Sequence, residues 1–302
     1  MKNFFIATIV ALFSFIVTNA CEICGCGTGN YYIGFIPQFQ HKFIGIRYSF
    51  QNFHTRLNDD PAQFSRDYYQ TAEVWAGLNF GKRWQVLALV PYHFIHQVSD
   101  DGISNSKGIG DIAVIANYKI LDKSTGEKGH MVSQQLWLGA GIKLPTGKFN
   151  IDAADPELIA IANTQTGTGS TDFMMNAAYN IRINKVGINT NASYKMNTSN
   201  NDKFTFGNKF SASSFVYYVI DKFKTGITPN IGLMYENTGT SGVVSQKLEQ
   251  TGGFLATASA GVELSFKKIS VGFNAQLPVA QNFAGKQTEL KARGMAHITF
   301  SF

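Results

Sequence analysis

The sequence predicts an all-β fold, an antiparallel transmembrane β-barrel of about 12 strands. Three observations carry this. Segments of alternating apolar and polar residues follow one another from Lys42 to the last residue. The final segment, Gly294-Met295-Ala296-His297-Ile298-Thr299-Phe300-Ser301-Phe302, stops on an aromatic. The connectors alternate in length, as expected when short periplasmic turns and long external loops take turns.

Composition agrees with these patterns. The 302 residues are 44% hydrophobic and only 15% charged, against about 25% charged in soluble domains. Glycine (29) and phenylalanine (25) are abundant and proline (7) is scarce, which suits strands joined by tight turns. The formal charge is +6, but the lysines are scattered, so no nucleic-acid groove is expected.

The chain divides into three parts. Residues 1–20 read as a secretory signal, with Lys2 before an apolar run and Thr18-Asn19-Ala20 as small residues for cleavage. That apolar run, residues 4–17, is shorter than the roughly 20 residues a spanning helix needs. Residues 21–41 form a cysteine-containing segment on the periplasmic side. Cys21, Cys24 and Cys26 lie within it. They suit a partial disulfide, a lipidated Cys21, or a soft-metal site for Cu(I) or Zn, with His41 as the nearest histidine. Residues 42–302 form the barrel, with both ends on the periplasmic side.

Individual strands follow from the period of two. In residues 269–279, Ile269, Val271, Phe273, Ala275, Leu277 and Val279 share one face. In residues 254–266, Phe254, Ala256, Ala258, Ala260, Val262, Leu264 and Phe266 do the same, and Lys267-Lys268 is the turn between the two. Further short turns are expected at Gly81-Lys82-Arg83, Asn184-Lys185 and residues 221–224. Long loops are expected at 57–66, 99–107, 145–168, 240–250 and 281–288. Two connectors depart from the rhythm: 122–130 is long for a turn and 199–202 is short for a loop.

Aromatics mark the two membrane interfaces. Phe80, Trp84, Phe223, Phe266, Phe300 and Phe302 lie beside the short turns. Tyr92, Phe94, Phe173, Phe204, Phe206, Tyr235 and Phe254 lie beside the long loops. Acidic residues such as Asp59, Asp100 and Asp155 gather on the loop side, and basic ones such as Lys82, Lys185 and Lys267 at the turns.

The opposite face of the strands is mixed. Its charged members, Arg47, Glu73, Lys119, Lys143, Arg182, Glu236, Glu263, Arg293 and His297, are the lumen-facing candidates. Trp75, Leu87, Leu89, Trp137, Met174, Phe215, Tyr217 and Met234 share that face. Large apolar groups beside charges predict a filled interior or a narrow amphipathic path rather than a wide aqueous pore. In the loop after Lys148, Asp155-Pro156-Glu157-Leu158 suits the start of a short helix, acting as a constriction, a lid or a surface decoration.

Two motifs stand out: Gly108-Ile109-Gly110-Asp111, and Leu138-Gly139-Ala140-Gly141-Ile142-Lys143-Leu144-Pro145-Thr146-Gly147-Lys148. By these and by the terminal Phe302, residues 40–302 resemble the outer-membrane transporter family named for the meta-pathway of phenol degradation. That resemblance implies a barrel in the outer membrane of a Gram-negative bacterium and passage of a small solute. Read physically, Gly108 and Gly110 allow unusual backbone where a loop enters a strand, and Asp111 caps nearby amides. Pro145, Thr146 and Gly147 suit a strand leaving its ladder.

The expected function is a passive channel for a small amphipathic or aromatic solute. Its partners are outer-membrane lipid, the solute, and the barrel-assembly machinery, which would read the C-terminal strand ending in Phe302. No cofactor and no catalysis are expected. His93 and His96 fall on opposite strand faces, and no phosphate loop or serine elbow sits in a βα context. The alternative is a metal-responsive binding or assembly protein that works through Cys21, Cys24 and Cys26 with the barrel as anchor.

Overall fold

A computed structural model describes residues 42–56, 63–100, 102–127, 130–151, 158–222, 225–244, 246–249 and 251–302. The expected signal, the three cysteines and His41 lie outside the described residues, as do Asp59, Asp155, Glu157 and Phe223.

Twelve antiparallel strands close into a barrel. In chain order they are β1 (Phe43–Arg56), β2 (Phe64–Phe80), β3 (Trp84–Ser99), β4 (Gly102–Ile109 and Ile112–Glu127), β5 (His130–Leu144) and β6 (Asp172–Ile183). They continue as β7 (Val186–Met196), β8 (Lys209–Tyr218, extended by Ile220–Lys222), β9 (Thr225–Thr238), β10 (Gly253–Phe266), β11 (Ile269–Phe283) and β12 (Thr288–Ser301). Each pairs with its neighbours in sequence. Closure comes from β12 on β1, where Phe43 lies opposite Ser301 and Arg47 opposite His297. A closed sheet leaves no edge, so its backbone polar groups are satisfied inside lipid.

The period of two sorts the faces as the sequence predicts. On β1, Ile44, Ile46 and Tyr48 point outward and Phe43, Gly45 and Arg47 inward. Phe80, Trp84, Phe266, Phe300 and Phe302 are exposed at the short-turn end, and Tyr92, Phe94, Phe173 and Tyr235 at the other. Phe204 and Phe206 are not part of that upper girdle. Both are buried in a core made by loops.

Some strands exceed the membrane. β3 has 16 residues, whereas a tilted strand crosses in about 9–11. The excess forms a hairpin above the bilayer, with Phe94 paired to Lys107 and Ser99 to Gly102. Residues 102–107 are therefore strand rather than part of the long loop expected at 99–107. A second hairpin projects on the opposite side, where Asp122 pairs with Gln135 and Glu127 with His130. Residues 122–127, read as part of a long turn at 122–130, are paired strand in that hairpin. The connector at 281–288 is short, because β11 runs to Phe283 and a single 3-10 turn leads into β12. The connection near 199–202 is longer than expected and spans 197–208. It contains a two-residue strand, Phe204–Thr205, paired to Gly242–Val243.

Candidate functional site

The two sequence motifs meet inside the barrel. Between β3 and β4 the register gains one residue: Tyr92 lies opposite Ile109, but Leu89 lies opposite Ala113. Gly110-Asp111 is the extra step, a β-bulge that re-aims side chains. The first motif is therefore a bulge within a continuous strand, not the expected passage from loop to strand; Gly108 is already paired, with His93. Gly110 is required here, since a Cβ would fall 2.3 Å from His93 Nε2. The bulge turns Asp111 inward. There it accepts from the backbone N–H groups of Gly147 (3.0 Å) and Thr168 (2.9 Å), so it caps amides as its position in the motif suggests.

Lys143, from the second motif, completes this arrangement. Its Nζ lies 2.5 Å from Asp111 Oδ2 and 2.9 Å from Asp172 Oδ2, with all three side chains nearly fully buried. It also donates to Thr168 Oγ1 and to the carbonyl of Ser170. One cation and two carboxylates thus pin the bulge of β4 and the external ends of β5 and β6 to the loop between β5 and β6.

Three further polar clusters line the lumen. Glu236 on β9 receives Lys209 of β8 (3.2 Å) and Arg293 of β12 (2.9 Å). Arg293 also donates to Gln51 on β1 (3.0 Å). Arg47 pairs with Glu73 on β2 and lies over the Trp75 ring at 5.4 Å. His297 Nε2 and Glu263 Oε2 are 3.0 Å apart, although β11 lies between their strands. Gly272 makes that possible, because a Cβ there would sit 2.2 Å from His297 and 2.3 Å from Glu263. Lys119 is buried, bonds Asp122 and covers Trp137 at 4.9 Å. Arg182 is half-buried at the turn end, opposite Gly187.

Apolar side chains fill much of the remaining interior. Phe43, Trp75, Leu87, Trp137 and Met174 form one buried cluster on the inner face of β1 to β6. Phe53, Tyr69, Ile95, Leu255, Phe283 and Leu290 form another at the external end of β1–β3 and β10–β12. On the opposite side Phe215 and Tyr217 are buried toward the turn end of β8, and small residues take over above them. Ser193, Ser211 and Ser213 face inward from β7 and β8, and a solvent-connected recess lies against them. Met174, Met234 and Ile115 supply its apolar part, and Lys195, Lys209 and Glu236 its charged part.

Three external connections pack over the barrel next to this recess. Ile151, Ala162, Phe204 and Phe206 are buried together, with Phe149 and Leu248 against them. Ala162 belongs to α1 (Leu158–Asn163), so the short helix expected in this loop is a packed part of a cap rather than a surface decoration. Gly147 and Gly167 touch through their backbones, and a Cβ on Gly147 would lie 2.6 Å from Gly167 Cα.

Lys195 and Asp172 escaped the sequence-based selection. Both lie on the inward rows of their strands, so the same period-two count would have found them. Among the described residues, no group of three His, Cys, Asp or Glu side chains could hold a metal ion.

Residues 49–282 match the family described as "Putative MetA-pathway of phenol degradation". No curated protein matches the chain in sequence. Among solved structures, an outer membrane channel from Pseudomonas putida F1 superposes with a TM-score of 0.64 at 14% identity, over 89% of this chain and 99% of that one. The β domain of the Bordetella autotransporter BrkA gives 0.50 at 12% identity, over 87% and 100%. These likenesses are of fold. The closed barrel with its apolar, aromatic-rimmed outer wall is an outer-membrane protein of a Gram-negative cell. The motifs at 108–111 and 138–148 and the match over residues 49–282 place the chain in one family, and it belongs to the putative MetA-pathway of phenol degradation family.

Proposed function

We propose that the barrel is a passive channel for a small amphipathic solute. The single observation that carries this is the uneven lumen. One side is packed with aromatic and aliphatic side chains, while the side formed by β6–β9 keeps a solvent-connected recess with apolar and charged walls. Apolar walls with a few placed polar groups are the usual lining of a small-molecule site. The solved channel from Pseudomonas putida F1 shares the fold, which is consistent with this reading.

In this proposal the charged lumen residues have two roles. Arg47, Glu73, Glu263 and His297 hold the wall in shape. Lys209, Glu236 and Arg293 border the path, and Lys143 anchors the cap beside it. Lys119 and Arg182 lie toward the periplasmic exit. No reaction is assigned to the barrel. The C-terminal strand ending in Phe302 serves as the signal for the barrel-assembly machinery.

Solute uptake into liposomes carrying the purified barrel tests the reading. Flux of a small aromatic or amphipathic compound above that of empty liposomes is the expected result. Flux no greater than empty liposomes for every small solute tried would reject it.

A further inference from the structure

We infer that the recess on the β6–β9 side is a binding site for a small organic monoanion with an apolar body, whose anionic group is held by Lys195. The inference takes its solute route from the channel reading and adds the chemical class.

Lys195 is 8% exposed and lines the recess. No carboxylate among the described residues lies within ion-pair distance of it, whereas each neighbouring cation touches at least one. Lys143 holds Asp111 and Asp172, and Lys209 and Arg293 share Glu236. Counting these side chains gives four cations, Lys143, Lys195, Lys209 and Arg293, against three carboxylates. One negative charge is missing, and Lys195, the cation of the four with no carboxylate in contact, lines the recess. A charge buried this far is costly unless it is paired, so the position favours an arriving anion.

The surrounding groups define the rest of the ligand. Lys195 lies opposite Met174 on β6 and Lys209 on β8. One step down, Ser193 lies opposite Asn176 and Ser211. Those two serines supply hydroxyl donors beside the amine, suited to a carboxylate oxygen. Met174, Met234 and Ile115 supply a soft apolar wall, and thioethers pack well against flat rings. A wide anion pore would line its walls with several exposed cations. Here one buried amine without a carboxylate in contact, beside the paired Lys209 and Glu236, faces apolar surface, which selects one head group attached to one greasy body.

The full-length barrel in detergent, titrated calorimetrically with benzoate, benzyl alcohol and benzylammonium, tests the assignment. Benzoate is expected to bind about tenfold or more tightly than either other probe, a difference of about 1.4 kcal/mol. Lys195→Met is expected to bring the benzoate to benzyl alcohol ratio close to one, and Lys195→Arg to keep the preference. Absent benzoate binding, equal affinity for the three probes, or an unchanged ratio in Lys195→Met would each overturn the assignment. The comparison of probes on the unaltered barrel stands even where Lys195→Met fails to fold. Liposome flux with the same compounds separates the two readings. Flux without preference for benzoate rejects the anion site and leaves the channel. Lys195-dependent benzoate binding without any flux rejects the channel and leaves the site.

Discussion

Arg293 on β12 and Glu236 on β9 meet across the lumen, Nη1 to Oε1 at 2.9 Å and Nη2 to Oε2 at 3.3 Å. Two strands of wall, β10 and β11, separate them along the sheet. The pair is therefore a strut through the interior rather than a rung between neighbours. Arg293→Met leaves Glu236 buried with Lys209 alone. Losing one partner of a buried pair costs about 3–5 kcal/mol. Guanidinium unfolding in detergent should show a loss of that order, and Arg293→Met combined with Glu236→Gln should recover part of it.

Lys143 offers a sharper contrast. Lys143→Met leaves Asp111 and Asp172 buried together without their cation, with an expected loss of about 3–5 kcal/mol. Asp111→Asn removes a charge but keeps an acceptor for one backbone amide, so its expected cost is lower, about 1.5–3 kcal/mol. The measured order of the two variants in guanidinium unfolding checks this. A larger loss for Asp111→Asn would contradict the assignment of Lys143 as the centre of the cluster.

Gly272 reports on a close approach. Its hydrogen faces the contact between His297 and Glu263, and Gly272→Ala must push them apart. Overpacking of this kind costs about 1–3 kcal/mol. In a His297→Ala background the same substitution should cost much less, because Glu263 can then swing into the space the ring vacates. A double-mutant cycle read by thermal unfolding in detergent gives the difference.

The outer wall predicts a dependence on depth. Ile231, at the middle of β9, is 65% exposed toward lipid, and Ile103, on the projecting hairpin, is 68% exposed. Arginine at the bilayer midplane of a barrel costs about 2–4 kcal/mol. Ile231→Arg should lose that much when folding into vesicles is measured. Ile103→Arg should stay within about 0.5 kcal/mol, as for an ordinary surface change.

The sequence made the wall legible and the interior contacts much less so. Residues 254–266 and 269–279 alternate because one face meets lipid and the other does not. That asymmetry fades where both faces meet water. Ser104, Asn105, Ser106 and Lys107 therefore read as loop, although they are paired strand above the membrane. Phe204 and Phe206 failed for the opposite reason. Their spacing imitates a lipid-facing strand, but the apolar surroundings are supplied by other loops. The inward direction of Arg293 and Glu236 follows from counting by two. Their meeting follows only from the closure and stagger of the barrel, which no local pattern encodes. Lys195 differs again. Its importance lies in a missing partner, and an absence of that kind appears only once every neighbour has been placed.

The seam between β1 and β12 has a consequence for biogenesis. Phe302 N–H bonds the carbonyl of Lys42, and Phe43 lies beside Ser301. The earliest strand therefore waits for the latest, and until they zip the ribbon carries two raw borders. Pairings this remote in sequence are slow to form, and such borders invite strands from other chains. Keeping the nascent ribbon apart from its siblings until that zipper shuts is a demand written into the topology itself.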